Sequence, residues 1–177
     1  IAENKLNRDF TSSKLGEKWV SDITYIRVNN DWNYLTTIMD LADRKIIGWS
    51  FSNDMTAEHT TIKALKMAIA QRNVKQGLIF HSDRGAQYAC NEFKSLLGKN
   101  EIIQSMSRKG NCWDNAPQES YFGHMKDELN LDTCFTFRDV CNEIKDYIEY
   151  YNNYRYQWNL KKMTPVQYRN HLFESIA

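Results

Sequence analysis

Apolar and polar side chains alternate through WVSDITYIRV, Trp19 to Val28, a stretch rich in β-branched and aromatic residues. The alternation predicts a strand, ended by a turn at Asn29-Asn30-Asp31. WNYLTTIMD and KIIGWSFS follow after short polar connections, so the three strands are expected to form an antiparallel meander. The period then lengthens. Ile62, Leu65 and Ile69 recur at helical spacing between Ala57 and about Asn73, with Thr56 as the capping residue. GLIF, residues 77–80, is short and wholly apolar, as befits a strand covered on both faces. A short helix from Asn91 to about Gly98 and a fifth strand in EIIQSM come next, and residues 107–116 have no period and read as a loop. Pro117 suits the first turn of a helix running to about Leu129, with Asn115 as its cap. Thr136 and Asp139 form a capping box ahead of a long helix whose stripe is Val140, Ile144, Tyr147, Tyr151 and Tyr154.

This order predicts an α/β protein with a mixed five-stranded sheet and helices on both faces, strands four and five lying parallel to their neighbours. The arrangement resembles the ribonuclease H-like fold. A length of 177 residues suits one domain: a lead-in over 1–18, a core over 19–155, and a basic C-terminal tail over 156–177, packed on the core or extending from it. No apolar run approaches the ~20 residues of a membrane span. The chain opens on Ile1 rather than Met, so a piece of a longer protein is expected. Cys90, Cys112, Cys134 and Cys141 have no metal-site spacing and read as free thiols of a reducing compartment.

A net charge of +1 argues for no partner, but its distribution says more. Residues 61–110 carry nine basic and three acidic side chains, and residues 111–154 carry three basic and nine acidic ones. A basic surface beside an acidic centre suits a polyanion held near metal ions; it is equally how a salt-bridged surface looks.

Three carboxylates stand out by position. Asp22 interrupts the first strand between Val20 and Thr24, where a charge is costly unless it is solvated, paired or bound to a metal. Asp83 follows the apolar fourth strand, at the sheet edge where loops diverge and ligands collect. Glu119 sits in the first turn of the helix behind the aperiodic loop, where the helix N-terminus favours its ionised form. Two Asp and one Glu are hard oxygen ligands, suited to Mg²⁺ or Mn²⁺ and poorly suited to Zn²⁺. Asp40 and Asp43, at the end of the second strand, are rivals for the same role.

WVSDITYI, HSDRGAQY, SRKGNCWDNAPQESYFGHMKDEL and YIEYYNNYRYQWNLKKMTPVQYR together resemble the catalytic part of IS3-family insertion-sequence transposases, within the integrase core superfamily. The resemblance runs from about Asn7 to Arg169. It implies that Asp22, Asp83 and Glu119 are the catalytic acids and hold two Mg²⁺, with Mn²⁺ as a substitute. It also implies cleavage of double-stranded DNA at mobile-element terminal repeats, and joining of the freed 3′-hydroxyl to target DNA by a homo-oligomer on paired ends. No membrane is involved, and a bacterial cytoplasmic, nucleoid-associated protein is implied. Two other classes use the same residues: a structure-specific nuclease that hydrolyses without joining, and a non-catalytic DNA-binding core.

Basic and aromatic residues extend this picture. Lys126, seven positions past Glu119, lies near the same helix face and suits a phosphate contact. Arg84, Arg108, Lys109, Asn111, Trp113 and Asn115 surround the carboxylates in sequence and are candidate DNA contacts. Trp113 has two readings, stacking on an unpaired base or folding back onto the core. Gly85 is expected to relieve backbone strain in its turn, and Gly110 to let the loop close. Arg155, Lys161, Lys162 and Arg169 form a basic tail suited to flanking DNA. His81 either lines the site, orients a carboxylate, or is held structurally by backbone.

Overall fold

In the computed structural model of the chain, which describes residues 1–174, five strands form one mixed sheet in the order β3-β2-β1-β4-β5. The meander is β1 (Lys18–Val28), β2 (Asp31–Asp40) and β3 (Ile46–Ser52), antiparallel throughout. β4 (Ile79–Ser82) runs parallel to β1, with Trp19 opposite Phe80 and Val20 opposite His81, and β5 (Ile103–Met106) lies parallel beyond it. The period-2 pattern of β1 supplies two cores. Val20, Ile26 and Val28 enter one cluster with Tyr121, Met125, Ile144 and Tyr151, whereas Trp19 enters the other with Leu65, Phe80, Tyr88 and Phe93.

Six α-helices cover the sheet: α1 (Lys63–Gln71), α2 (Ala86–Ala89), α3 (Asn91–Lys99), α4 (Ala116–Glu128), α5 (Phe137–Asn153) and α6 (Pro165–Glu174). The capping box of α5 is present, with the Thr136 and Asp139 side chains each accepting a backbone N–H of the other. Other local expectations were overridden. A π-helical turn over Glu58–Ile62 precedes α1, and the Thr56 hydroxyl donates to Asp54 instead of capping it. Asn115 makes no capping bond; its amide donates to the Ser21 carbonyl. Tyr154 lies just past the end of α5 and is exposed, outside the buried stripe. Part of the loop, Cys112–Asn115, is a single 3-10 turn. The tail carries α6, which packs against α5; its last residues, 175–177, lie outside the described residues.

Helix α1 lies directly on β3. A Cβ at Gly48 would collide with the Ala64 carbonyl oxygen, so only glycine permits this approach. Gly48→Ala is therefore expected to destabilise the protein by about 2 kcal/mol, the scale of overpacking, read as a lower urea midpoint at unchanged slope.

Candidate functional site

The parallel pairing of β1 with β4 decides where the first two carboxylates meet. Continuing the register from Val20 and His81, Asp22 comes level with Asp83, which sits just beyond the carboxyl end of β4. The third carboxylate arrives from the face that α4 covers. Gln118, fully buried in its first turn, donates to the carbonyls of Val20 at 2.7 Å and Thr37 at 3.2 Å, and accepts from the Thr37 hydroxyl at 3.0 Å. The Asn115 amide adds a bond to the Ser21 carbonyl at 3.0 Å. These bonds pin the start of α4 across β1 and β2, and Glu119 is the next residue. Asp22, Asp83 and Glu119 all line one cavity of about 530 Å³.

Its electrostatics are uncompensated. Among the described residues, none of the three carboxylates has a Lys, Arg or His within ion-pair distance. Burial first, then the charges of Asp83 and Glu119, raise the Asp22 pKa to about 7. One Asp22 oxygen accepts from the backbone N–H of Ile23, and one Asp83 oxygen accepts from that of Gly85 at 2.9 Å. Asp83 thus forms its turn as well as facing the cavity. Gly85 has a φ of −53°, which any residue can adopt, so the strain expected there is absent. A Cβ on Gly85 would instead crowd the Asp83 carboxylate at 3.0 Å.

Unpaired carboxylates converging on one cavity are a donor set that suits a hard divalent cation. Among the described residues no three His, Cys, Asp or Glu side chains are already drawn together into a ready metal cage. The rival pair is accounted for structurally. Asp40 accepts from the Gly16 and Ala42 backbones and from the Trp19 indole, and Asp43 pairs with buried Arg72.

Arg84, Arg108, Lys109, Asn111 and Asn115 line the same cavity. Four of them are already engaged, Arg84 by the Ser107 carbonyl, Arg108 by Asp114, Asn111 by Arg8 and Asn115 by the Ser21 carbonyl. Trp113 is 69% exposed, which excludes its folding back onto the core, and it does not line the cavity. Lys126 is exposed two turns beyond Glu119 and is likewise outside the cavity wall. Arg155 is paired with Glu128, and Lys161 and Lys162 belong to a separate turn near residues 156–163. His81 is fully buried, with its two ring nitrogens against the Ser105 and Ser107 hydroxyls at 2.9 and 3.1 Å. It neither lines the cavity nor orients a carboxylate; burial lowers its pKa to about 4, so it stays neutral as a strut between β4 and β5.

Two positioning residues escaped the sequence reading. Gln118 looked like an ordinary helix residue, although its place beside Glu119 in a first turn was a usable signal. Asp114 is the other: its enclosed carboxylate accepts from Arg108 Nε, Nη2 and backbone N, from Arg8 Nε and from Asn4 Nδ2. Those bonds, Arg108 foremost, hold its pKa far below the usual carboxylate range. They also tie the loop before α4 to the first residues of the chain.

Comparison with known proteins agrees with this architecture. A family profile described as integrase core domain matches residues 12–112, and a second with the same description matches 119–173. An uncharacterized transposase-like protein of Haemophilus influenzae is 40% identical over 170 residues, covering 96% of this chain and 78% of that protein. Transposase InsF for insertion sequence IS3A of Escherichia coli is 38% identical over 172 residues, covering 96% and 59%. InsK of insertion sequence element IS150, also from Escherichia coli, is 38% identical over 173 residues, covering 97% and 61%. The chain thus spans about three fifths of the length of these two Escherichia coli proteins. The HTLV-2 integrase catalytic core domain in complex with magnesium superimposes with a TM-score of 0.70 at 20% identity, over 86% of this chain and 95% of that one. The BIV integrase catalytic core does so at 0.66 and 16%, over 92% and 99%. Those two structures carry the fold, which is ribonuclease H-like. The profile matches and the relatives of the insertion sequences carry the lineage: the chain belongs to the integrase core domain family, among the transposases of the IS3 type.

Proposed function

We propose that this chain is the catalytic core of a DNA transposase, cutting DNA at the ends of a mobile element and joining the freed 3′-hydroxyl to another phosphodiester. The observation that carries the reading is the meeting of three unpaired carboxylates, Asp22, Asp83 and Glu119, in one cavity beside the middle of β1 and just past the carboxyl end of β4. Bound there, two Mg²⁺, or Mn²⁺ in their stead, would activate the attacking oxygen and stabilise the leaving one. The chain's own residues do the positioning. β1 holds Asp22 rigid, the Gly85 N–H orients Asp83, and Gln118 anchors the turn that presents Glu119. Lys109 on the rim, with the outer faces of Arg84 and Arg108, attracts the phosphates on either side of the scissile bond. Lys126, Lys161 and Lys162 extend that attraction along flanking DNA.

The reading draws support from the relatives named for insertion sequences, and its metal from the magnesium of the HTLV-2 core. That core is known in dimeric and trimeric forms, which supports a homo-oligomer here. The core over 19–155 holds all three carboxylates, and the segments before and after it contribute support.

A branched DNA that mimics an element end already joined to target tests the proposal. With Mg²⁺ or Mn²⁺ the protein is expected to reseal the target strand, and Glu119→Gln to abolish resealing. Cleavage without resealing would replace the proposal with a nuclease. DNA binding with no metal-dependent turnover, unchanged by Glu119→Gln, would reduce the chain to a binding core.

A further inference from the structure

Helix α4 borders a second hollow besides the carboxylate cavity. It encloses about 540 Å³, and its wall includes Arg44, Tyr121, His124, Tyr151, Gln157 and Trp158. Ser120, the neighbour of Glu119, also lines it, so the two hollows flank the same turn of α4.

Two groups on this wall lack the partners that buried polar atoms require. Tyr121 is only 2% exposed, and its hydroxyl has no hydrogen-bond partner. Arg44 is half-buried, and among the described residues its guanidinium makes no ion pair and no hydrogen bond. Burial works against its charge, and only the nearby Tyr151 opposes that. Guanidinium and phenol O–H are both hydrogen-bond donors. A concave surface of unsatisfied donors calls for an oxyanion, and a guanidinium is well matched to phosphate.

The rim adds a second chemistry. Trp158 is 81% exposed and Tyr156 67%, and Lys162 Nζ lies 4.8 Å from the centre of the Trp158 ring. They are presented by a tight turn in which Gln157 N–H donates to the Met163 carbonyl and Lys162 N–H to that of Gln157. Lys161 and Lys162 both adopt left-handed φ, 54° and 61°. Two successive non-glycine residues in that region are costly, and such strain collects where a binding surface is being shaped. Exposed aromatic faces beside basic groups bind single-stranded nucleic acid by stacking its bases.

We propose that this hollow receives one unpaired nucleotide of the DNA strand, with its phosphate on Arg44 and its base laid on Trp158. The inference rests on the DNA-joining reading above and adds a subsite to it. A strand that passes Glu119 reaches Ser120 and the hollow without leaving α4.

The test compares a blunt duplex with the same duplex bearing three unpaired nucleotides at one 3′ end, by fluorescence anisotropy at fixed salt. Trp158→Ala and Arg44→Gln are each expected to weaken binding of the tailed duplex about tenfold, the effect of losing one stacked base, and to leave the blunt duplex within about twofold. Trp32→Ala, which removes an exposed tryptophan elsewhere, should change neither. A 5-iodouracil in the tail should photocrosslink to Trp158 or Tyr156, as mapped by mass spectrometry. If both variants keep the preference for tailed DNA, the nucleotide goes elsewhere and only this inference fails. Equal weakening on both DNAs reduces the hollow to a general phosphate contact and also overturns it. Thermal stabilisation by thymidine monophosphate as large as that by the tailed duplex would make it a free-nucleotide site instead. No binding of either DNA by the unaltered protein removes the DNA reading itself, and this inference with it.

Discussion

Asp22→Asn is expected to cut metal-dependent strand joining by about three orders of magnitude, the upper scale for removing one preorganised charge partner of a transition state. The same change should raise the thermal midpoint measured in EDTA. Both effects have one origin. Burial, then the charges of Asp83 and Glu119, lift the Asp22 pKa to about 7, whereas the unfolded chain ionises the group near its ordinary value of 3.8. The folded state therefore holds a proton that the unfolded state releases, and stability falls as pH rises from about 4 through 7. Asparagine carries no such penalty. At pH 8 the variant should gain about 1–3 kcal/mol, roughly 2–10 °C for a chain of this size, and at pH 4 the two proteins should melt together. Mg²⁺ should close the gap at pH 8 by stabilising the unaltered protein more. A variant that joins DNA normally, or that melts lower at pH 8, would remove Asp22 from the site.

Gln118→Leu is expected to lower strand joining about a hundredfold, because small misplacement of a catalytic group has that effect, while affinity for DNA stays close to normal. Leucine fills a similar volume but makes none of the bonds to Val20 and Thr37. Stability should drop by about 1–3 kcal/mol as buried carbonyl and hydroxyl groups lose their partner. A destabilised fold alone does not explain such a loss, and Gly48→Ala provides the control. That variant is weakened comparably on the far side of the sheet, yet should join DNA normally below its melting range. If Gln118→Leu matches Gly48→Ala in joining rate at equal stability, the amide merely packs.

The legible parts of this protein were those encoded over short distances. The alternation of β1 and the Thr136–Asp139 box depend on neighbours in sequence and were found where expected, whereas the apolar run over 77–80 located β4 two residues early, the strand being Ile79–Ser82. The three acids could be singled out because a charge within or beside an apolar run is conspicuous. Helix α2 was missed because four residues are too few to display a period. Gln118 and Asp114 were missed, and His81 was left among three readings, for a different reason. Apart from Arg108 beside Asp114, their partners come from strands and loops about 20 to 110 residues away, and no local pattern reports such a meeting. Thr56 and Asn115 show the converse, good caps diverted to Asp54 and to the Ser21 carbonyl.

The cluster around Asp114 joins the lead-in to the middle of the core: Asn4 and Arg8 meet Arg108 on one enclosed carboxylate. A loss at any of these positions leaves the others over-charged or under-bonded, so none is free to change alone. Over evolutionary time, positions 8, 108 and 114 should drift as a set. The opening residues of the chain thus brace the rim of a cavity that lies a hundred residues further on.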